Sequence, residues 1–241
     1  IMTFLSLIIP CYNVAKYLPA TIHSLTQLQD AENCEFIFVN DGSTDETLSL
    51  LTDFAKKDNR AIIIDQQNQG VSTARNRALE IARGTYILCL DGDDYLHANT
   101  VAIIKEHMRD ADALLSPCIF QENGKSMVQN IHINSGIYSI EQLYESCSVF
   151  PTAPMLVYSN TIVQRNQLRF NTSLKSGEVY DFTVTFFQHA ETVSVIDIGF
   201  YYYFMRHSSA THHPNYTADL TVLKLMSHFN NNYYLEASTL F

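Results

Sequence analysis

The feature that most limits the fold is an alternation, along residues 5–117, of short apolar runs with longer amphipathic stretches. Leu5 to Pro10 (LSLIIP), Glu35 to Asn40 (EFIFVN), Ala61 to Asp65 (AIIID), Tyr86 to Leu90 (YILCL) and Ala113 to Pro117 are too short for core helices. They are apolar almost throughout, so they read as strands covered on both sides. Between them, Val14–Leu28 carries Leu18, Ile22, Leu25 and Leu28 at helical spacing, and Leu48, Leu51 and Phe54 repeat the pattern. Helices over Ser72–Ala82 and Thr100–Met108 complete a βαβαβαβαβ order. Ser43 and Glu46 have capping-box spacing, and Gly84 stands where a C′ glycine belongs. The order predicts an α/β fold with a mainly parallel central sheet and helices on both faces.

The rhythm changes after residue 118. Residues 119–137 are polar and irregular, with room for a hairpin, and short helices are expected near 140–148 and 160–167. Glu178–Ala190 reads as an aromatic-rich helix, Val193–Arg206 as a strand pair or one long strand, and 217–237 as a last helix. No Gly/Ser/Pro-rich linker intervenes, so one domain over 1–241 is expected, with 119–241 forming an elaborated wall over 1–118.

Composition narrows the function classes. Hydrophobic residues make up 46% of 241, enough for a core, which excludes a disordered chain. Fifteen Lys and Arg against 25 Asp and Glu leave a formal charge of −10, which argues against nucleic acid as partner. An anionic ligand would therefore need a cation to offset its charge. Five cysteines without C-x-x-C spacing point to buried thiols and a cytoplasmic protein. No apolar run is long enough to span a membrane, and the N-terminal stretch reads as a strand and not as a signal peptide.

In open parallel sheets, ligands bind beyond the carboxyl ends of the strands. Three polar segments fall there: Pro10-Cys11-Tyr12-Asn13, Asn40-Asp41-Gly42-Ser43 and Asp91-Gly92-Asp93-Asp94. Asp91 and Asp93 can aim two carboxylates at a hard cation such as Mg²⁺ or Mn²⁺, with Gly92 admitting a ligand to the backbone; the alternative is a solvated acidic turn. Asp41 can accept a hydrogen bond from a base imide, or it is an Asx-turn residue. Gly70, Arg75 and Asn76 open a helix whose N-terminus suits an anion, or that simply faces solvent. No G-x-G-x-x-G or G-x-x-x-x-G-K-[ST] follows a strand, which speaks against dinucleotide oxidoreductases and P-loop enzymes.

Taken together, PCYNVAKYL, FVNDGSTDET and NQGVSTARNRALEIARGTYILCLDGDDYL resemble the family 2 glycosyltransferases of GT-A fold over residues 4–117. The resemblance implies a metal-dependent hexosyltransferase using a nucleoside-diphosphate sugar, most often a UDP-sugar. The acceptor would be a glycan or a lipid-linked glycan, as in polysaccharide or surface-glycan synthesis, reached by inversion through direct displacement. It also implies a cytoplasmic place, including the inner face of the membrane by peripheral association. Pro10, Tyr12 and Asn13 match the family's first nucleotide loop, Asp41 the residue reading the uracil, and Gly70, Arg75 and Asn76 the donor segment. Asp91 and Asp93 match the D-x-D pair that holds ribose and a Mn²⁺ or Mg²⁺ ion. The family's G-E-D-x-x-F is replaced here by Gly177-Glu178-Val179-Tyr180-Asp181-Phe182, with valine at the base position. That leaves Glu178 or Asp181 as the base, or a catalytically impaired sugar-nucleotide or carbohydrate-binding protein. Tyr201–Thr211 is similar to the family's Y-Y-x-R-x-x-S-x-T segment and offers Arg206 as a diphosphate contact, whereas His212-His213 reads as an ordinary loop pair.

Overall fold

A computed structural model describes residues 2–122, 124–129, 131–146 and 155–205. Arg206, the histidine pair, the expected helix at 217–237 and Cys147 lie outside the described residues. The first half follows the sequence pattern closely. Strand β1 (Leu5–Cys11) is buried along its whole length, followed by α1 (Leu18–Thr26) and the equally buried β2 (Cys34–Asp41). Helix α2 (Thr47–Ala55), β3 (Ala61–Gln66), α3 (Val71–Ile81) and β4 (Tyr86–Cys89) complete the unit. These strands lie in the order β3-β2-β1-β4, all parallel. Right-handed crossovers in that order put α1 and α2 on one face and α3 on the other.

The chain direction across the sheet reverses between β1 and β4, and the sequence opens a crevice there. The β1–β4 ladder runs from Leu5↔Tyr86 to Ile8↔Cys89, and the Leu90 N–H adds a last bond to Ile8 O at 2.9 Å. Backbone groups alternate sides along a strand, so Pro10 faces β4 as Ile8 does. Proline has no N–H to continue the ladder, whereas the β1–β2 pairing runs on to Cys11↔Asn40. The β1–β4 pairing therefore ends before Pro10, while β1 and β2 stay paired to Cys11.

The second half extends this sheet and adds another. After β5 (Tyr95–Leu96), α4 (Thr100–His107) and β6 (Ala113–Leu115) come the hairpin β7 (Cys118–Glu122) and β8 (Lys125–Val128). Then follow β9 (Gly136–Ser139), α5 (Ile140–Ser146), β10 (Leu156–Ser159) and α6 (Asn160–Arg165). Helix α7 (Glu178–Phe187), β11 (Thr192–Val195) and β12 (Tyr201–Phe204) close the described chain. The large sheet is β3-β2-β1-β4-β10-β6-β11-β9, and the small one β5-β12-β7-β8. Strand β10 enters antiparallel between β4 and β6. The expected strand pair over 193–206 is two strands in different sheets. One buried apolar cluster runs from Leu5 to Tyr201 through both halves.

Two local expectations are corrected. No side-chain cap closes α2 at Ser43; that hydroxyl accepts from Asn13 N–H at 3.0 Å. The Asp45 carboxylate takes the Thr47 and Ala15 N–H groups at 3.0 and 3.1 Å, so this turn satisfies the donors of the loop after β1 as well as those of its own helix. Gly84 is not a C′ glycine, since α3 ends at an extended Ala82. It is glycine because the chain crosses the start of β1: a Cβ there would lie 2.4 Å from Ser6 N, and its N–H donates to Ser6 Oγ at 2.8 Å. Gly84→Ala is expected to cost about 1–3 kcal/mol, because the contact is with backbone that cannot yield cheaply. A fall in the urea midpoint checks this, and an unchanged midpoint would contradict the close crossing.

Candidate active site

The strand tips line a cavity of about 520 Å³. Pro10, Tyr12, Asp41, Gly70, Arg75, Asp91, Gly92, Asp93 and Glu178, all singled out in the sequence, line it. Asn68, Lys175, Ser176 and Tyr203 also line it and carried no signal strong enough to select them. Tyr203 sits in a run of three tyrosines. Only the pairing of β12 with β7, residue 203 opposite Phe120, decides which one faces the cavity.

At the tip of β2, the Asp41 carboxylate organises the approach to α3. Oδ1 accepts from Gln66 Nε2 at 2.7 Å and from Gln69 N–H at 2.8 Å, while Oδ2 accepts from Gly70 N–H at 2.8 Å. A carboxylate has about four acceptor positions, so Oδ2 keeps one for a ligand donor. Gly42 and Gly70 both have positive φ, at 69° and 89°. A Cβ on Gly42 would meet Asn68 N at 2.6 Å, so glycine there lets the two loops close on each other.

The acidic turn after β4 divides its three aspartates between scaffold and cavity. Asp94 is buried; its Oδ2 accepts from the Tyr201 hydroxyl at 2.7 Å and its Oδ1 from Phe204 N–H at 2.8 Å. Burial, reinforced by Asp91 and Asp93, pushes its carboxyl well above the usual range. The Asp91 N–H donates to the same Tyr201 hydroxyl at 3.1 Å, which ties the turn to β12. Asp91 and Asp93 face the cavity. Gly92 is boxed in, since a Cβ would lie 2.9 Å from Cys11 Sγ and 3.1 Å from Pro10 O.

Arg75 is the hub of the site. It is buried, and its guanidinium donates to Asp91 Oδ1 at 3.0 Å and to Glu178 Oε1 at 2.9 Å. It lies 5.3 Å from the Phe170 ring centroid, and Phe170 stacks on Phe182 at 4.2 Å. Burial works against its charge, but Asp91 and Glu178 outweigh that and the net shift of its pKa is upward. Glu178 is the first residue of α7, set there by Gly177 at φ 77°.

Three expected site residues have other work. Asn76 holds the Phe170 backbone with two bonds of 2.8 Å, one to its oxygen and one from its N–H. Asn13 Oδ1 accepts from Thr44 N–H at 2.8 Å, fixing the first loop to the second. Neither lines the cavity, and nor does Asp181, one helical turn beyond Glu178, whose pKa burial raises. Val179, at the family's base position, packs against the apolar core. No cluster of three or more His, Cys, Asp or Glu side chains with metal-site geometry occurs among the described residues.

The family model described as glycosyl transferase family 2 matches residues 6–169, more than half of the chain. The chain belongs to glycosyl transferase family 2. Among family relatives, the uncharacterized glycosyltransferase EpsJ of Bacillus subtilis is 29% identical over 218 residues, 87% of this chain and 63% of that protein. TarS of Staphylococcus aureus, a poly(ribitol-phosphate) beta-N-acetylglucosaminyltransferase, is 30% identical over 205 residues, 82% of this chain and 35% of its own length. The chain thus spans 35–63% of these two relatives. Residues 1–349 of S. aureus TarS in complex with UDP-GlcNAc superpose with a TM-score of 0.78 at 26% identity, covering 98% of this chain and 69% of that one. The shared α/β architecture is the GT-A fold that the motifs implied. A mannosyltransferase of Pyrobaculum calidifontis, solved with GDP-Man and Mn²⁺, shares the fold at a TM-score of 0.63 and 16% identity.

Removing one member of a buried ion pair strands the other, at a typical cost of about 3–5 kcal/mol. Arg75→Met should approach that loss, because it leaves Glu178 without its cation. Adding Glu178→Gln should recover part of it, and a double-mutant cycle in urea measures the coupling. Strict additivity of the two changes would show that the pair contributes nothing.

Proposed function

We propose that the chain transfers a sugar from a nucleoside-diphosphate sugar, a UDP-sugar first among these, to a hydroxyl of a glycan or surface polymer, with inversion. The observation that carries this reading is the convergence of Asp41, Asp91, Asp93 and Glu178 on one cavity at the strand switch point of a family 2 fold. The UDP-GlcNAc bound by TarS is a chemical precedent for the donor.

The cavity's charge argues for a cation. Its four acids face two basic residues, Arg75 and Lys175, so a diphosphate could not enter without a further positive charge. The donor set fits a hard divalent ion. Mg²⁺-like ions are commonly held by one or two carboxylates, with substrate phosphates and water completing the shell. Asp91 and Asp93 would hold Mn²⁺ or Mg²⁺ in that way, although Asp91 also binds Arg75. When bound, such an ion supplies charge stabilisation to the departing diphosphate.

The chain's own residues carry the rest. Asp41 would accept the base imide through its remaining acceptor position, Tyr12 would cover the nucleoside, and Gly70, with open space where a Cβ would stand, would let the ligand reach backbone, whereas Gly92 is glycine because Cys11 and Pro10 pack against it. Glu178 would accept the proton of the acceptor hydroxyl as the carbon–oxygen bond forms, because it is the acid of α7 that lines the cavity. Val179 favours one other reading, a sugar-nucleotide-binding protein without turnover.

Two experiments test this. Calorimetry with UDP should give markedly tighter binding with Mn²⁺ than with a chelator, and Asp93→Ala should remove that dependence without altering the melting curve. Metal-independent UDP binding would refute the ion's role. In a donor-hydrolysis screen over UDP-, GDP- and TDP-sugars with Mn²⁺, Glu178→Gln should lower turnover about 10²–10⁴-fold with UDP affinity little changed. Asp181→Asn should leave turnover nearly intact. The reverse order of effects would move the base to Asp181, and no turnover in the wild type would favour the binding protein.

A further inference from the structure

We propose that Lys175, and not Arg75, is the side chain of the cavity wall, among the described residues, that meets the donor's diphosphate. The inference rests on the nucleotide-sugar reading above and names the cation within that site. Arg75 seemed suited to a phosphate from its place in the first turns of α3. The fold has used it otherwise: two carboxylates lie 2.9 and 3.0 Å from its nitrogens, and its side chain is only 5% exposed. An arginine bracketed by two carboxylates carries no net positive charge into the cavity; the trio with Asp91 and Glu178 sums to −1.

Lys175 is the other cation on the cavity wall among the described residues. It is exposed and has no ion-pair partner among them. The backbone that carries it is anchored on both sides. Before it, Asn76 fixes Phe170, and the Asn171 side chain accepts from Ser173 N–H at 3.1 Å. After it, Ser176 is buried and Gly177 turns directly into α7. A fixed backbone bearing an ammonium with no ion-pair partner among the described residues, on the wall of the cavity that Asp91, Asp93 and Glu178 also line, suits an anion held partly by a metal. Lysine acts as a mobile point charge and needs no fixed fork geometry to meet a phosphate oxygen.

The test compares nucleoside diphosphate with nucleoside. Calorimetry with UDP, GDP and TDP first identifies which the wild type binds in the presence of Mn²⁺. Lys175→Ala should weaken that diphosphate about tenfold, the size expected for one charge-assisted contact at a solvated site, and leave binding of the matching nucleoside unchanged. Lys175→Arg should restore most of the loss, and Lys175→Glu should exceed it. All three should melt like the wild type, because the side chain is exposed. Unchanged diphosphate affinity in Lys175→Ala overturns the proposal. So does an equal loss for diphosphate and nucleoside, which would mean that the loop and not the charge matters. A wild type that binds none of UDP, GDP and TDP would overturn the nucleotide-sugar reading and this inference with it.

Discussion

The site depends on one buried cation. Arg75 reaches from α3 to the tip of β4 and to the first residue of α7, and so joins the two halves of the chain at the cavity. A guanidinium taken out of water is costly unless its charge and its donors are answered. Two carboxylates and the face of Phe170 answer most of it, although Nε finds no hydrogen-bond partner. Its geometry fixes the spacing between the acidic turn and α7. The Asn76 clamp on Phe170 and the Phe170–Phe182 stack hold the segment leading into α7 against the same helix, so that spacing does not rest on the ion pairs alone.

Acids of two kinds shape the fold and the site. Asp94, Asp45 and Glu35 are held by protein donors: Asp94 by Tyr201 and Phe204, Asp45 by Thr47 and Ala15, and Glu35 by Ser6 and Arg83. They shape the loops and strand ends. Asp91, Asp93 and Glu178 face the cavity, and Asp41 stands between the two kinds, bracing residues 66–70 while presenting an edge to the ligand space. A cavity built this way concentrates negative charge where the proposed anionic donor would enter. That arrangement is sensible only with positive charge arriving alongside the donor or standing on the rim.

Much of this was legible in the residue pattern. The strand ends at Pro10, Asp41 and Asp91 follow from apolar runs that stop at polar turns, and those three tips do meet. The acid of α7 on the cavity was less legible. Glu178 and Asp181 are equivalent by spacing, and only the docking of the helix turns one toward the cavity and leaves the other beside it. Asn13 and Asn76 match family positions yet bond to backbone, because an amide can bridge chain segments as readily as it can meet a ligand. Lys175 is a lone lysine in a loop, which no periodicity distinguishes from a solvated surface residue.

The sequence by itself determined the parallel β1–β4 unit and its polar tips, because alternating burial and turn chemistry are local and leave few other folds. It also determined where the β1–β4 pairing ends, since Pro10 lacks the N–H that would have continued the ladder to β4. Only the tertiary structure decided the insertion of β10 between β4 and β6, the separation of β11 from β12, and the capture of Arg75 by Asp91 and Glu178. The last of these depends on contacts between residues 16 and 103 positions apart, and on which of several competing charges a buried cation reaches first. No local pattern records that competition; packing resolves it.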